Sequence, residues 1–347
     1  MTMKRIALAS PFTLPFHCGN SILAERLRQG LQKTGEYEVA LYDCGTDAAD
    51  KAIRFAPHLL HSVNAERPYE WVKKYFLQGK KVPWVITLTG TDYTTWCNVS
   101  APPEPVRESF AQADALVVFH EEAREAVRQC LPAAAGKIHV IAQGVTPPDS
   151  GGDDVQLVRQ RYGIRPEAVV FLMAAGIRPV KNIVPALEAF LEVEKKIENA
   201  VLLLAGPVID RREAELIFSL GSRLRCFQYR GEMAPAAVRE LMAAADVFLN
   251  TSLHEGMSGA VLEAMAAGLP VIASAVAGNC ALVRDGENGM LFPLDDPQAL
   301  IAAAVQLSTD QSLRSRLGAA GKQIAAEKFS AEQEIENHQH LYRMLLP

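Results

Sequence analysis

Short apolar runs alternate with amphipathic stretches along the chain. RIALAS (5–10) predicts a strand. Residues 21–34 predict a helix with Ile22, Leu23, Leu27 and Leu31 on one face, and 38–43 and 58–63 predict two further strands. A helix over 69–78 leads to PWVITLTG (83–90), the clearest strand of this half. Next come a strand over 113–119, a helix over 121–130 and a last strand, KIHVIAQG (137–144). The segment TPPDSGGDD (146–154) has no apolar face to bury and reads as a linker. After it the pattern restarts. VVFLMAAG (169–176), AVLLLAGP (200–207), 225–231, 246–250 and PVIAS (270–274) predict strands, and 184–197, 210–220, 236–244 and 296–307 predict helices between them. Alternation at this spacing implies α/β architecture with parallel sheets covered by helices on both faces. The expectation is two doubly wound, Rossmann-like domains facing across a cleft. Residues 1–147 form one and 155–330 the other, with a final helix over 331–347 packing back on the first.

Composition narrows the class. The 347 residues are 49% hydrophobic and 22% charged, which suffices for two cores. The net charge of -5 argues against nucleic acid as the main partner. Six cysteines at 18, 44, 97, 130, 226 and 280 form no CxxC pair, which predicts reduced thiols and a cytoplasmic location. The N-terminus MTMKRIALASPF reads as a first strand and not a signal peptide. Residues 264–283 carry no charge, but Gly268-Leu269-Pro270 and Gly278-Asn279 break them into helix, strand and turn, so no membrane span is expected.

The densest chemistry lies in HEGMSGAVLEAMAAGLPVIAS. Glu255 stands on a loop, Gly256, Met257, Ser258 and Gly259 open a helix, and Glu263 follows about two turns on. A helix N-terminus concentrates unpaired N–H groups and partial positive charge, which suits a phosphate. Ionised carboxylates beside it suit hydroxyl-rich groups. Upstream, the strand VVFLMAAG ends in Gly176, and Arg178 and Lys181 follow at the sheet's carboxyl edge. Arginine can fork onto phosphate oxygens and lysine adds a point charge. Alone, these two cations also fit a solvated turn. In the first half, Gly19 and Asn20 sit just before a helix, where a ligand contact and a plain helix cap fit equally well. Asp92 in the Thr89-Gly90-Thr91-Asp92 turn and His120 at the end of ALVVF mark strand ends, and Gln143-Gly144-Val145 precedes the linker. Each of these also has a purely structural reading.

Together these residues resemble the family-4 retaining glycosyltransferases of GT-B fold (glycosyltransferase group 1). The family's pattern EGxxxxxxEAMAxGxPVIA stands at 255–273, its Arg/Lys phosphate clamp at Arg178 and Lys181, and its NGV turn at Gln143-Gly144-Val145. The resemblance implies a nucleotide-sugar co-substrate, UDP-linked, in the C-terminal domain and a small-molecule acceptor on the N-terminal side, with no metal or other cofactor. It places Arg178 and Lys181 on the diphosphate, Glu263 on the ribose and Glu255 on the transferred sugar. Two departures stand out: Thr89 replaces a histidine frequent in the family, and the run 277–281 lacks the family's glutamate. RPVKN is similar to the subgroup that glycosylates malate. LTGTD and AGN look like selenosugar synthases and short glycosyltransferase-1-domain proteins. The altered N-terminal motif keeps open a catalytically weak nucleotide-sugar-binding protein, and the paired cations and glutamates disfavour an epimerase.

Overall fold

The apolar runs pair into two sheets of six strands, and every neighbouring pair within each sheet is parallel. The computed structural model describes residues 3–15, 18–79, 81–96, 102–147 and 154–346; most of the predicted linker, and Cys97, lie outside them. The chain divides into two compact units, Met1–Gly144 with Ala331–Pro347, and Val145–Ser330. In the first unit, β1 (Lys4–Ser10), β2 (Tyr37–Asp43), β3 (Leu59–Val63), β4 (Trp84–Thr87), β5 (Ala115–Val118) and β6 (Ile138–Val140) lie in the order β2-β1-β3-β4-β5-β6. In the second, β7 (Val169–Ala174), β8 (Ala200–Ala205), β9 (Phe227–Tyr229), β10 (Val247–Asn250), β11 (Val271–Ser274) and β12 (Gly289–Phe292) lie in the order β12-β11-β10-β7-β8-β9. The strands β3, β4, β5, β8, β10 and β11 are buried along their whole length, as continuous apolar runs require between two helix layers.

The second order matters for function. From β7 the chain proceeds to β8 on one side, while β10 occupies the other side of β7. The loops leaving β7 and β10 therefore diverge at the sheet's carboxyl edge, the switch point where open α/β sheets bind ligands.

Local chemistry sets the element ends. The first helix, Gly19–Lys33, starts two residues before its predicted start because Cys18 holds the cap position, its N–H donating to the Ser21 hydroxyl at 2.9 Å. The helix Gly259–Ala267 is capped by Ser258 and ends at Gly268, whose φ of 83° lies in the left-handed region. The stretches 137–144 and 225–231 join their ladders only over three residues each, β6 and β9, at the sheet edges. Helices beyond those predicted include Ala49–Phe55, Glu104–Gln112, Val155–Arg161 and Gln311–Lys328.

The last helix, Ala331–Leu345, belongs to the first unit. It buries Ile335, His338, Leu341 and Tyr342. Arg26 of the first helix forks onto its Glu334 at 2.7 and 3.0 Å, and the Tyr342 hydroxyl meets His61 Nδ1 of β3 at 2.6 Å. Among the described residues no helix is long and apolar enough to cross a membrane, and none of the five described cysteines is in a disulfide.

Candidate functional site

Two loops at the switch point are stitched into one surface. The chain leaves β7 through Gly176 and Arg178, makes a tight turn over Pro179–Lys181 and enters the helix Ile183–Lys196. The loop leaving β10 binds it back. The Thr251 hydroxyl reaches the Lys181 and Asn182 carbonyls at 3.0 and 2.9 Å, and the Leu253 N–H donates to the Val180 carbonyl at 2.9 Å. This stitching sets Lys181 Nζ 2.7 Å from Glu255 Oε1, in a pair whose side chains are only 18% and 11% exposed. The same carboxylate oxygen accepts from Ser252 Oγ at 2.6 Å and Asn250 Nδ2 at 3.3 Å. Burial alone would push the Glu255 carboxyl up. The Lys181 ammonium, with the Ser252 and Asn250 donors, more than offsets this and holds it below the ordinary value. Glu255 is thus an ionised acceptor at neutral pH.

A buried polar network supports this pair, and sequence reasoning missed it. Asn250 Nδ2 also donates to Ser258 Oγ at 3.2 Å, tying the Glu255 loop to the cap of the next helix. Asn250 Oδ1 accepts from the Ser252 N–H at 3.2 Å and from Asn279 Nδ2 at 3.1 Å. Asn279 Nδ2 also reaches the Ser274 carbonyl and hydroxyl at 3.0 and 3.1 Å, and Ser274 Oγ donates to the Ser252 carbonyl at 2.6 Å. One signal was available: Asn250 and Ser274 end the adjacent strands β10 and β11, at the edge where ligands bind.

The other predicted residues divide by unit. In the second, Arg178 is partly exposed beside the turn and makes no ion pair among the described residues. Gly256, Met257 and Ser258 are buried, Gly259 opens the helix, and Glu263 is partly buried along it. The structure therefore brings Lys181 and Glu255 into contact and places Gly176, Arg178 and the start of the Glu263 helix in the same pair of switch-point connections.

In the first unit, Gly19 and Asn20 form the opening turn of a helix and Gly19 is exposed. Asp92, expected at a catalytic position, sits in the turn that follows β4. It is completely buried, and its carboxylate accepts from the backbone N–H groups of Ala65 (3.0 Å), Thr89 (2.9 and 3.2 Å) and Gly90 (2.9 Å). Burial pushes its pKa up to about 6 against the pull of those donors. Its geometry holds the turn and presents no face to a ligand. His120 caps the helix Glu121–Cys130, its Nδ1 accepting from the Ala123 N–H at 3.2 Å. Gln143 Oε1 accepts from Arg26 Nη2 at 3.3 Å. Among the described residues no three His, Cys, Asp or Glu side chains are grouped to hold a metal ion.

Residues 168–310 match the family of glycosyl transferases group 1. The chain carries a group 1 glycosyltransferase domain. Similarity extends over nearly the whole protein to the glycosyltransferase 1 domain-containing protein 1 of Xenopus tropicalis, 25% identical over 342 residues, 98% of this chain and 97% of that one. The N-acetyl-alpha-D-glucosaminyl L-malate synthase of Bacillus anthracis is 25% identical over 268 residues, 76% of this chain and 68% of that one. With these relatives, the protein is a transferase enzyme. The crystal structure of Anabaena HepE in complex with UDP-glucose superposes with a TM-score of 0.81 at 16% identity, covering 98% of this chain and 100% of that one. At that identity the likeness speaks for the fold, which is GT-B. The glycosyltransferase domain contains every residue of the Lys181–Glu255 site and its supporting network.

Proposed function

We propose that the protein is a retaining glycosyltransferase that moves a sugar from a nucleoside-diphosphate donor, a UDP-sugar, to a small-molecule acceptor. The observation that carries this reading is the Lys181–Glu255 pair held at the switch point, with Arg178, which makes no ion pair among the described residues, directly before the same turn. Charge develops on the diphosphate as the bond to the sugar breaks, and preorganised cations stabilise it. Arg178 and Lys181 supply the cations, and the N-terminus of the helix Gly259–Ala267 adds oriented N–H groups. Glu255 accepts the sugar hydroxyls and Glu263 the ribose hydroxyls. The second unit holds the donor and the first presents the acceptor. Retention of configuration is supported by the two-glutamate pattern at 255–273.

Thermal shift against UDP, GDP, ADP and their sugars tests donor binding, because a ligand of the folded state raises apparent stability. UDP release tests turnover. Arg178→Ala and Glu263→Ala should each lower UDP release about 10- to 100-fold, the loss expected for a charged hydrogen-bonding partner. A panel that yields neither binding nor turnover removes the proposal. UDP-sugar binding without a glycosylated product from any acceptor pool, read by mass spectrometry, would favour a binding protein instead, the reading that Thr89 keeps open.

A further inference from the structure

We infer that the Lys181–Glu255 ion pair makes the site discriminate between a sugar-bearing nucleoside diphosphate and the bare nucleoside diphosphate, so that donor binds and product leaves. The inference rests on the donor reading above and concerns what the pair does before and after transfer. Lys181 and Glu255 neutralise one another at 2.7 Å. Among the described residues the Glu255 side chain has only three partners: Lys181, Ser252 and Asn250. Two of them are neutral.

A diphosphate draws on the Lys181 ammonium. Among the described residues Arg178 has no ion pair to give up, but Lys181 must weaken its hold on Glu255. The carboxylate is largely out of water, and an ionised group in that position is costly unless other donors replace the lost cation. Sugar hydroxyls are such donors, since each can give a hydrogen bond to an ionised carboxylate. A nucleoside diphosphate that carries its sugar therefore repairs what its phosphates disturb. One without a sugar leaves Glu255 under-solvated. The phosphate and sugar subsites are coupled, and by linkage each ligand raises the affinity for the other.

The buried network makes this coupling stiff. Asn250 is held by Ser258 and Asn279, and the Ser252 backbone by Asn250 and Ser274. Glu255 accordingly cannot follow Lys181 without disturbing the side chains of Ser252, Asn250, Ser258, Asn279 and Ser274.

The test is calorimetric titration of the full chain with UDP and with UDP-glucose, UDP-galactose and UDP-N-acetylglucosamine, in wild type and Glu255→Gln. Wild type should bind one of the sugars at least about fivefold more tightly than UDP, the lower end of ordinary coupling between sites. In Glu255→Gln the two ligands should move in opposite directions: UDP tightens because Lys181 is released, and the UDP-sugar weakens because its hydroxyls lose a charged acceptor. Affinities that move together, or a wild type that binds UDP as tightly as every sugar, overturn the inference. A wild type that binds none of these ligands overturns the donor reading itself, a different result. Should Glu255→Gln not fold, the wild type still decides. The free sugar of the preferred donor must tighten UDP binding, and independence of the two refutes the coupling.

Discussion

Replacing Gly278 by alanine is expected to cut transfer about a hundredfold while the second unit stays folded, since a misplacement of about 1 Å suffices for such a loss. A Cβ at this position would stand 2.4 Å from the Glu255 carbonyl oxygen, 2.7 Å from its carbonyl carbon and 2.9 Å from its Cβ. The nearest two are backbone atoms, so no rotamer change relieves the clash. Position 278 cannot retreat easily either. It lies in the short helix Ala277–Cys280, whose next residue, Asn279, is fully buried and tied to Asn250 and Ser274. The loop bearing Glu255 has to yield, and the 2.7 Å contact to Lys181 and the 2.6 Å contact to Ser252 lengthen with it. Overpacking of this kind costs about 1–3 kcal/mol, which leaves most domains folded. UDP release measured as kcat/KM, beside a thermal melt, checks the expectation. Wild-type kcat/KM in a folded Gly278→Ala protein would show that the position of Glu255 does not matter to the chemistry.

The sequence made the helix Gly259–Ala267 and strand β11 legible, because their boundaries are written in caps: Ser258 at one end, Gly268 at the other, then Pro270. The cations at 178 and 181 were legible because a strand end and a glycine precede them. The helix Gln311–Lys328 was not. Its packing face carries glycines: a Cβ at Gly318 would stand 2.0 Å from the Gly268 carbonyl, and Gly321 faces Met265. Close backbone approach here replaces the wide apolar stripe that a helix prediction needs. The pair of residues that matters most, Lys181 and Glu255, lies 74 positions apart, and only the crossover between β7 and β10 brings them together. Asp92 is ambiguous in the sequence for a related reason. A carboxylate after a strand reads the same whether it meets a ligand or caps its own turn, and only the donors from Ala65, Thr89 and Gly90 separate the two. The departure at 277–281 now has a physical content. The glycine is needed for the close approach to Glu255 and the asparagine holds the network beneath it.

Acidification from pH 7 to 5 is expected to destabilise the first unit by roughly 1–3 kcal/mol, through the histidines that seat its last helix. His61 is completely buried between the Tyr342 hydroxyl at 2.6 Å and the Thr87 hydroxyl at 2.8 Å, and its ring stacks on His338 with centroids 5.5 Å apart. His338 Nδ1 bonds the Glu334 carbonyl at 2.9 Å. Burial drives the His61 pKa well below its ordinary value, and His338 beside it adds to the shift. Burial also lowers that of His338, aided by Arg26, although the Glu334 carboxylate and carbonyl pull the other way. Both are neutral in the folded chain. In the unfolded chain a histidine takes up its proton near about pH 6.5, so the stability is fully present above that value and is lost as pH falls below it, by up to about 1.4 kcal/mol per pH unit for each proton. Asp92 acts in the opposite sense. With its pKa raised to about 6, it binds a proton more readily in the folded chain and offsets about one proton below that pH. The loss therefore sets in near about pH 6.5 and continues below about pH 6 at roughly one proton, the two histidines less Asp92. The three tryptophans, Trp71, Trp84 and Trp96, all lie in the first unit, so their fluorescence follows its unfolding separately from the glycosyltransferase domain. His338→Gln should flatten the dependence by about one proton. A tryptophan transition whose denaturant midpoint is the same at pH 7 and pH 5 would show that these buried rings accept protons without loosening the helix.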